Sequence, residues 1–455
     1  MQIMKKQQTR TEHDSLGQVK IPKDAYYGTT TARAIHNFQI SGKTAAKVFQ
    51  EALGTVKLAA AESNTSLGLI NKKDAKALIQ ACKEFIDGKF HDEFPTDVFQ
   101  AGAGTSYNMN ANEVIANRAN EILKQPKGGY NPVHPNNHVN MAQSTNDVIP
   151  TATRLAILFS LPALLAEIGA LEETLEEKSK KYNKTIKVGR THLQDAVPIT
   201  FGQEFDAYRE ALQKSREFIE ERSKDLQVLG IGGNALGTGI NAHPKYKSTI
   251  VKNLSKLSGI KFESAKNLTE TTNNMNSFMN FSAALKSLAV NLLNLSETLK
   301  IMVSGPKAGM NEIIIPAVQP GSSIMPGKIN PSIIEALEMI CLQVLGNDKV
   351  VELGAQKSQF ELNVFCPIIM HNLLESMSIL TNGLKMFRNF CIKGLEVNKE
   401  EAQNTFDNSL CTATALAPYL GYEKTSEIVK LALKNKSTIK EELKKQDLLK
   451  KCPNF

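Results

Sequence analysis

The residues best suited to chemistry lie in one glycine-bounded segment, Gly321–Pro331, which reads GSSIMPGKINP. It carries two adjacent hydroxyls, Ser322 and Ser323, followed by the Lys328 ammonium and the Asn330 amide. Glycine permits backbone angles that other residues avoid, and proline interrupts regular structure, so the segment is predicted to be a loop that moves between fixed ends. Two hydroxyls, a cation and an amide suit an anionic small molecule, although an ordinary connector between helices would also explain the glycines and prolines.

Neither glycine-rich segment of the chain fits a nucleotide site. A phosphate-binding P-loop has four residues before its Gly-Lys pair and a hydroxyl after it, whereas five residues separate Gly321 from Gly327 and Ile329 follows the lysine. The glycines at 230–233 follow an amphipathic helical run, whereas a dinucleotide-binding fingerprint follows a strand.

Three further polar clusters stand beside glycine or at the expected start of a helix. Thr105-Ser106 and Ser144-Thr145-Asn146 fit helix starts, where such side chains are often simple caps. The N–H groups at a helix start also bind anions, but for either cluster alone capping is the favoured interpretation. The third cluster, Thr191-His192, interrupts a helical hairpin between Gly189 and Pro198.

Long amphipathic helices must position these clusters. Between about residues 151 and 390, apolar side chains recur at alternating steps of three and four, which predicts one apolar face per helix over many turns. Helices of this length need antiparallel neighbours, from the same chain or from other subunits, to bury that face. The apolar stripes run through Leu161–Leu175, Phe205–Leu229, Phe278–Met302 and Ile369–Phe387.

The regions on either side of these helices differ from them in pattern. The first part of the chain is mixed, with helices predicted over Lys43–Ala61 and Lys73–Phe85, and the last part carries shorter, lysine-rich helical pieces. We therefore expect a mainly α fold with three domains: a mixed, mostly helical domain at 1–142, a long-helix domain at 143–397 and a small helical domain at 398–455.

The cysteine pattern favours a cytoplasmic protein, and the charge does not single out a partner. The six cysteines are scattered with no C-x-x-C pair, which fits reduced thiols. No signal-peptide pattern opens the chain, and no apolar run is expected to span a membrane. The net charge of +8 would attract a small dianion or simply reflects a lysine-rich surface, while nucleic-acid binding is disfavoured because the lysines are spread and tryptophan is absent.

Taken together, the four polar clusters resemble the aspartase/fumarase superfamily over nearly the whole chain. The 321–331 segment is close to the signature loop of that family, and residues 189–198 and 143–150 also match it. The resemblance implies a three-domain lyase fold whose long central helices form a 20-helix bundle in a homotetramer. It also implies active sites that each draw on three subunits and bind a small dicarboxylate.

The resemblance leans towards the aspartase branch. It implies the reversible elimination of ammonia from L-aspartate to give fumarate, and the alternative is a class II fumarase that converts L-malate to fumarate and water. Phe360–Phe365 and Asn241–Pro244 look fumarase-like, and His192 occurs in both branches. The aspartase-like stretches are Tyr26–Gly28, Ala103–Ser106, Ser144–Asp147, Gly202–Tyr208 and Lys307–Gly309.

By the same resemblance, Ser322 is the general base. Removing a proton beside a carboxylate creates an enediolate with a second negative charge, so the site needs a base and well-placed donors. A serine hydroxyl is too weak an acid to ionise near neutral pH, and backbone N–H groups and the Lys328 cation are expected to lower its pKa. Glu335 is expected to pair with His192 and to set the charge of the imidazole, which makes both of them catalytic candidates.

The resemblance divides the substrate-binding candidates between the two ends of the substrate, with Ser106 beside them. The carboxylate that becomes the enediolate is expected to be bound by Thr105, Ser144, Thr145 and Ser323. The other carboxylate is expected to be bound by Thr191, His192, Lys328 and Asn330. The residues expected near the leaving amino group are Thr105, Asn146 and His192.

The implied mechanism requires no cofactor and leaves activation by a divalent cation open. His134 and His138 have a spacing that suggests a metal, but Pro135 works against a continuous helix that would present both side chains. The segment instead resembles a secondary anion site of fumarases. No residue is therefore expected to be a metal ligand.

Overall fold

Helices dominate the computed structural model, which describes residues 8–452. The first residues of the chain, expected to carry no signal peptide, lie partly outside this range. The helices are α1 Thr29–Asn37, α2 Lys47–Ser66, α3 Lys72–Ile86, α4 Thr105–Ile122, α5 Thr145–Lys181, α6 Phe201–Ser223, α7 Tyr246–Ser258, α8 Leu268–Asn273, α9 Asn276–Met302, α10 Ser332–Ala355, α11 Cys366–Phe387, α12 Lys399–Asn408, α13 Ala417–Leu420, α14 Tyr422–Asn435 and α15 Ile439–Lys445.

The strands pair into small two-stranded sheets. Three of these sheets are antiparallel and one, β5–β6, is parallel, within residues 8–452. In the β3–β4 hairpin a register shift separates Val188 from Arg190, so the segment expected only as a break between helices is itself a bulged β-hairpin. The strands are β1 Thr9–Asp14, β2 Gly17–Pro22, β3 Ile186–Thr191, β4 Gln194–Thr200, β5 Val228–Leu229, β6 Glu263–Ser264, β7 Ile313–Ile314 and β8 Glu396–Val397.

The chain forms two compact units. The first comprises Met1–Leu164, Glu217–Ser287 and Gln343–Ile379. The second comprises Leu165–Arg216, Leu288–Leu342 and Leu380–Phe455. The three-domain division at residues 142 and 397 stays a prediction.

The core of the first unit includes helices α2, α3 and α4. Phe49 of α2 is fully buried and lies 5.5 Å, centroid to centroid, from the Tyr107 ring of α4, which stacks on Phe94 at the same separation. Helix α2 begins at Lys47 rather than at Lys43 as predicted. The preceding residues are extended because Thr44 pairs with Asp97 in a β-bridge, a tertiary contact that overrides local helix propensity.

Helices α6 and α9 are joined in the second unit by hydrogen bonds of one side chain. Ser215, which fills a gap in the α6 stripe, is buried and accepts a hydrogen bond of 2.8 Å from the Asn291 side chain of α9. The same amide donates to the Ala211 carbonyl oxygen at 3.3 Å. The polar interruption of the stripe is therefore satisfied inside the core.

Helix α5 corrects the expectation that no apolar run could span a membrane. An 18-residue window of this helix has a mean hydropathy of 1.8, so by length and composition alone α5 is long and apolar enough to cross a membrane. A helix that is apolar around much of its circumference passes the same test when it is buried in a protein core. The buried Thr153 and Arg154 near its start fit that second explanation.

The last part of the chain has a small core of its own, which we call the C-terminal cluster. It joins α14 and α15 to the segment before them, and helix α15 starts with a capping box between Thr438 and Glu441. The C-terminal cluster consists of Leu416, Ile428, Ala432, Ile439, Leu443 and Cys452.

Ile428→Ala should destabilise this part of the second unit by about 2–5 kcal/mol, because it leaves a cavity in the C-terminal cluster. Hydrogen exchange of the amides of α14 and α15 measures the loss of protection. Leu433→Ala is the matched control, since Leu433 lies on the same helix and is 61% exposed. Equal protection in the two variants would contradict the packing role of Ile428.

Candidate functional site

Helix α4 starts abruptly at Thr105 because the turn before it is left-handed. Gly104 has φ +89° and Ala103 has φ 62°, and a Cβ on Gly104 would lie 3.1 Å from the Ile149 side chain. The Ala103 N–H donates to the Val364 carbonyl oxygen at 2.7 Å, which fixes this turn. As a result Thr105 is exposed at the first position of the helix, whereas Ser106 is buried.

Asp147 organises the start of α5. One carboxylate oxygen accepts the Ser144 N–H at 2.9 Å, and the other accepts the N–H groups of Gly232 and Asn234 at 3.0 and 2.9 Å. Burial raises the pKa of Asp147 to about 7, and these three N–H donors oppose that shift. The Asn146 amide also donates to the Ala235 carbonyl oxygen at 2.9 Å, so the glycine-rich loop is tied to the first turn of α5.

A buried lysine links the starts of α4 and α5. The Lys57 ammonium donates to the side-chain oxygens of Asn108, Asn140 and Gln143 at 2.6, 3.1 and 3.0 Å. Burial lowers the pKa of Lys57 to about 7, and the charge of Asp147 opposes that shift. The Asn108 amide donates in turn to the Thr145 hydroxyl oxygen at 3.1 Å. Helix α4 is thus hydrogen-bonded to a predicted substrate-binding residue of α5.

Sequence reasoning missed Lys57, Asn108 and Gln143. Only one signal pointed to Lys57, namely its position in a stretch of α2 that is apolar on every side, from Leu53 to Ala61. A lysine in such a stretch is buried, and a buried ammonium needs oxygen acceptors.

Thr191 and His192 lie at the exposed end of the β3–β4 hairpin, where His192 has φ 54°. Strand β3 is held by Glu312, which is fully buried and accepts a hydrogen bond from Arg190 at 2.7 Å. The Lys187 ammonium lies 3.4 Å from the same carboxylate. Because Arg190 directly precedes Thr191, this ion cluster fixes the position of the backbone just before the two predicted site residues.

Ser322 lies in the glycine-bounded loop, where its hydroxyl is hydrogen-bonded by the loop's own backbone. The Gly321 N–H donates to the Lys328 carbonyl oxygen at 3.0 Å, and a Cβ on Gly321 would lie 2.2 Å from that oxygen, so only glycine closes the loop there. The Ser322 hydroxyl oxygen accepts the N–H groups of Ile324 and Met325 at 3.2 and 3.1 Å. These two donors stabilise negative charge on that oxygen.

The Lys328 ammonium has no hydrogen-bond or ion-pair partner among residues 8–452, and its side chain is exposed. The Asn330 amide donates to the Gly321 carbonyl oxygen at 2.8 Å and so braces the loop. Ser323 is exposed as well. The loop therefore offers a cation and a hydroxyl to solvent in the single chain.

The candidate residues fall into both compact units. Thr105, Ser106, Ser144, Thr145 and Asn146 belong to the first unit, where Asn108 connects the two helix starts that carry them. Within residues 8–452, no hydrogen bond joins His192 to Glu335, which is exposed in the first turn of α10, so their pairing stays a prediction. The second unit holds Thr191, His192, Ser322, Ser323, Lys328, Asn330 and Glu335.

His134 and His138 form hydrogen bonds with the backbone around them. Residues Pro135–Val139 form a π-helical turn that His134 caps, with its Nδ1 accepting from the N–H groups of Asn136 and Asn137. The His134 N–H donates to Nδ1 of His138 at 3.0 Å, and burial lowers the pKa of His134. The described part of the chain holds no group of three or more His, Cys, Asp and Glu side chains placed for a metal ion.

Comparison with known proteins assigns this scaffold to the lyases. A family model described as Lyase matches residues 17–346, and another, described as the fumarase C C-terminus, matches residues 413–451. The first match alone covers most of the chain. The chain belongs to the aspartase/fumarase superfamily. The resemblance seen in its sequence and the mainly α lyase fold are thereby confirmed.

Relatives with both activities are equally similar to the chain. An aspartate ammonia-lyase from Bacillus sp. is 43% identical over 432 residues, which cover 95% of this chain and 92% of the relative. A class II fumarate hydratase from Neisseria meningitidis is 43% identical over 434 residues, covering 95% and 94%. The comparisons therefore support a lyase and divide on its substrate.

Solved structures agree with the helical architecture. A fumarate lyase:delta crystallin from Brucella melitensis, bound to cobalt, superposes with a TM-score of 0.94 at 44% identity and 96% coverage of each chain. A class II fumarase from Schistosoma mansoni gives a TM-score of 0.94 at 35% identity, covering 97% of this chain and 96% of its own.

Asp147→Ala should lower the stability of the protein by about 3 kcal/mol or more, because it leaves the N–H groups of Ser144, Gly232 and Asn234 without their acceptor. The midpoint of thermal unfolding, at fixed protein concentration, measures the effect. Asp206→Ala serves as the control, since Asp206 is an exposed carboxylate whose ion-pair partner, among residues 8–452, is Arg209 in the next helical turn. A midpoint equal to that of the control would show that Asp147 does not hold the start of α5.

Proposed function

We propose that the protein is an aspartate ammonia-lyase, which reversibly eliminates ammonia from L-aspartate to give fumarate through an enediolate. Thr145 carries this proposal, because it stands at the start of α5 where fumarases usually have serine. Its hydroxyl oxygen accepts a hydrogen bond from Asn108, so its own proton is free to donate to a substrate carboxylate.

The reaction requires hydrogen-bond donors whose bonds to the substrate carboxylate become stronger as negative charge develops. Proton loss from the carbon beside a carboxylate puts a second negative charge on that group, and donors aimed at its oxygens lower the barrier. The exposed Thr105 and the hydroxyls of Ser144 and Thr145 lie at two adjacent helix starts, which favour anions. Ser323 would complete this set, while Thr191, His192, Lys328 and Asn330 would bind the other carboxylate.

Ser322 is the proposed base. Its oxygen already accepts two backbone N–H groups, and the unpartnered Lys328 would add a positive charge when the loop closes over bound substrate. Closure would also exclude water from the enediolate. Thr105, Asn146 and His192 would surround the leaving amino group, with Glu335 setting the charge of the imidazole.

The site would be completed in a homotetramer with each active site shared by three subunits. Helix α10 supports this assembly, because Met339 and Leu342 are 65% and 60% exposed and continue along one face through Val350 and Leu353. Such a heptad-like stripe fits neighbouring helices of other subunits. The six cysteines are all free and buried, which agrees with the proposed cytoplasmic location. The mechanism uses no cofactor.

A class II fumarase acting on L-malate is the second candidate. The fumarase-like stretches Asn241–Pro244 and Phe360–Phe365, together with the equal identity to fumarate hydratases, favour it. The ultraviolet absorbance of fumarate, followed with L-aspartate and with L-malate as separate substrates, decides between the two. We expect fumarate from L-aspartate; formation from L-malate alone would overturn the aspartase assignment.

Ser322→Ala should reduce turnover by at least about a thousandfold, because it removes the base while leaving the helical scaffold intact. Turnover is measured by fumarate formation, and circular dichroism with size-exclusion chromatography checks fold and assembly. Turnover near that of the wild type, in a folded variant, would remove Ser322 from the role of base.

Lys328→Ala should raise KM by roughly 10- to 100-fold with a smaller change in kcat, since a charge opposite a carboxylate acts in both ground and transition states. Lys261→Ala is the control, because Lys261 is an exposed surface lysine that pairs with Glu263. An unchanged KM in Lys328→Ala would contradict a substrate-binding role for this lysine.

A further inference from the structure

Lys57 is an unusual charge for a protein core. Its side chain is 1% exposed, and no carboxylate among residues 8–452 lies within ion-pair distance of its ammonium. The ammonium instead uses all three of its protons on side-chain oxygens of Asn108, Asn140 and Gln143. A buried cation without a direct counterion is costly, and packing alone would be served better by an apolar side chain.

The lysine determines which end of the Asn108 amide faces Thr145. Because the amide oxygen accepts from Lys57 at 2.6 Å, the amide nitrogen is turned towards the Thr145 hydroxyl oxygen, 3.1 Å away. The same nitrogen lies 3.2 Å from the side-chain oxygen of Asn140, a second acceptor that favours this orientation. If the amide were reversed, its oxygen would face Thr145 and accept the hydroxyl proton.

The other two acceptors shape the turn that leads into α5. The Gln143 amide donates to the Val139 carbonyl oxygen at 2.8 Å, and the Asn140 amide donates to the Gln143 carbonyl oxygen at 3.2 Å. Both side chains thus join Lys57 to the backbone just before Ser144. The lysine is therefore hydrogen-bonded to Asn108, which contacts the Thr145 hydroxyl, and to Gln143, the residue before Ser144.

We propose that Lys57 is a positioning residue for the carboxylate site: its ammonium fixes the orientation of the Asn108 amide, so that the Thr145 hydroxyl is kept as a donor to the carboxylate that becomes the enediolate. This role rests on the proposed function of Thr145. The effect is on the direction of one proton, and it is largest in the transition state, where the carboxylate carries most charge.

A double-mutant cycle on the full-length enzyme tests this role. Lys57→Met should lower kcat about 10- to 100-fold with a smaller change in KM, because a misdirected donor affects the transition state most. In a Thr145→Val background, which has no hydroxyl to orient, the same change should cost less than about threefold in kcat. Equal losses in both backgrounds would overturn the proposal and leave Lys57 with a packing role only.

The Asn108→Asp variant separates the loss of the hydrogen-bond donor to Thr145 from any loss of packing around Lys57. The carboxylate keeps the shape of the side chain and still accepts from Lys57, but it has no N–H to give Thr145 and would take the hydroxyl proton instead. We expect this variant to fold and to lose about as much kcat as Lys57→Met, again only when Thr145 is present. Wild-type kcat in Asn108→Asp would refute the proposal, even if Lys57→Met failed to fold.

The cycle is run on whichever of L-aspartate and L-malate the wild-type enzyme turns over. Both reactions would pass through an enediolate. Turnover of L-malate alone would therefore overturn the aspartase assignment, but the cycle would still test the role of Lys57. A wild-type enzyme that turned over neither substrate would overturn both proposals.

Discussion

The first unit depends on where α5 begins, and Asp147 determines that point. Its carboxylate takes one N–H from the same helix turn and two from the loop at 232–234, so a single buried side chain binds two segments that are about 85 residues apart in sequence. Helix starts carry unsatisfied N–H groups that must find acceptors or ligands. Asp147 satisfies these N–H donors without using the hydroxyls of Ser144 and Thr145, which are the groups proposed to bind a carboxylate.

The second unit applies the same principle to a hairpin. Thr191 and His192 are exposed, but Arg190, which precedes them in β3, is paired with Glu312, and Glu312 is buried next to Lys187. In both units a buried charge lies within a few residues of the polar groups that are proposed to bind the substrate. Such charges are expensive to bury unless they are fully hydrogen-bonded, and in return they allow only one arrangement of the backbone around them.

The sequence predicted the long helices and the starts of two of them, but it missed the short β3–β4 hairpin and the contacts between residues far apart in the chain. Long apolar stripes predicted α5, α6, α9 and α11, and glycine with small polar residues predicted the starts of α4 and α5, because each pattern is written within one segment. The β3–β4 strands are too short to show their own period beside long helices. The partners of Lys57 could not be foreseen, since they lie 51, 83 and 86 residues away and only the folded chain brings them together.

The choice between ammonia and water as leaving group concerns only a small part of this scaffold. Both eliminations remove a proton beside a carboxylate, so the proposed base, the proposed enediolate donors and the helices that hold them would serve either reaction. Discrimination must then come from the few groups beside the leaving atom, for which Thr105, Asn146 and His192 are the candidates. A site that hydrogen-bonds one leaving group rejects another by leaving its own polar atoms unpaired. Equal identity of 43% to an aspartase and to a fumarase is what this division predicts, because overall identity reports the shared scaffold rather than those three side chains.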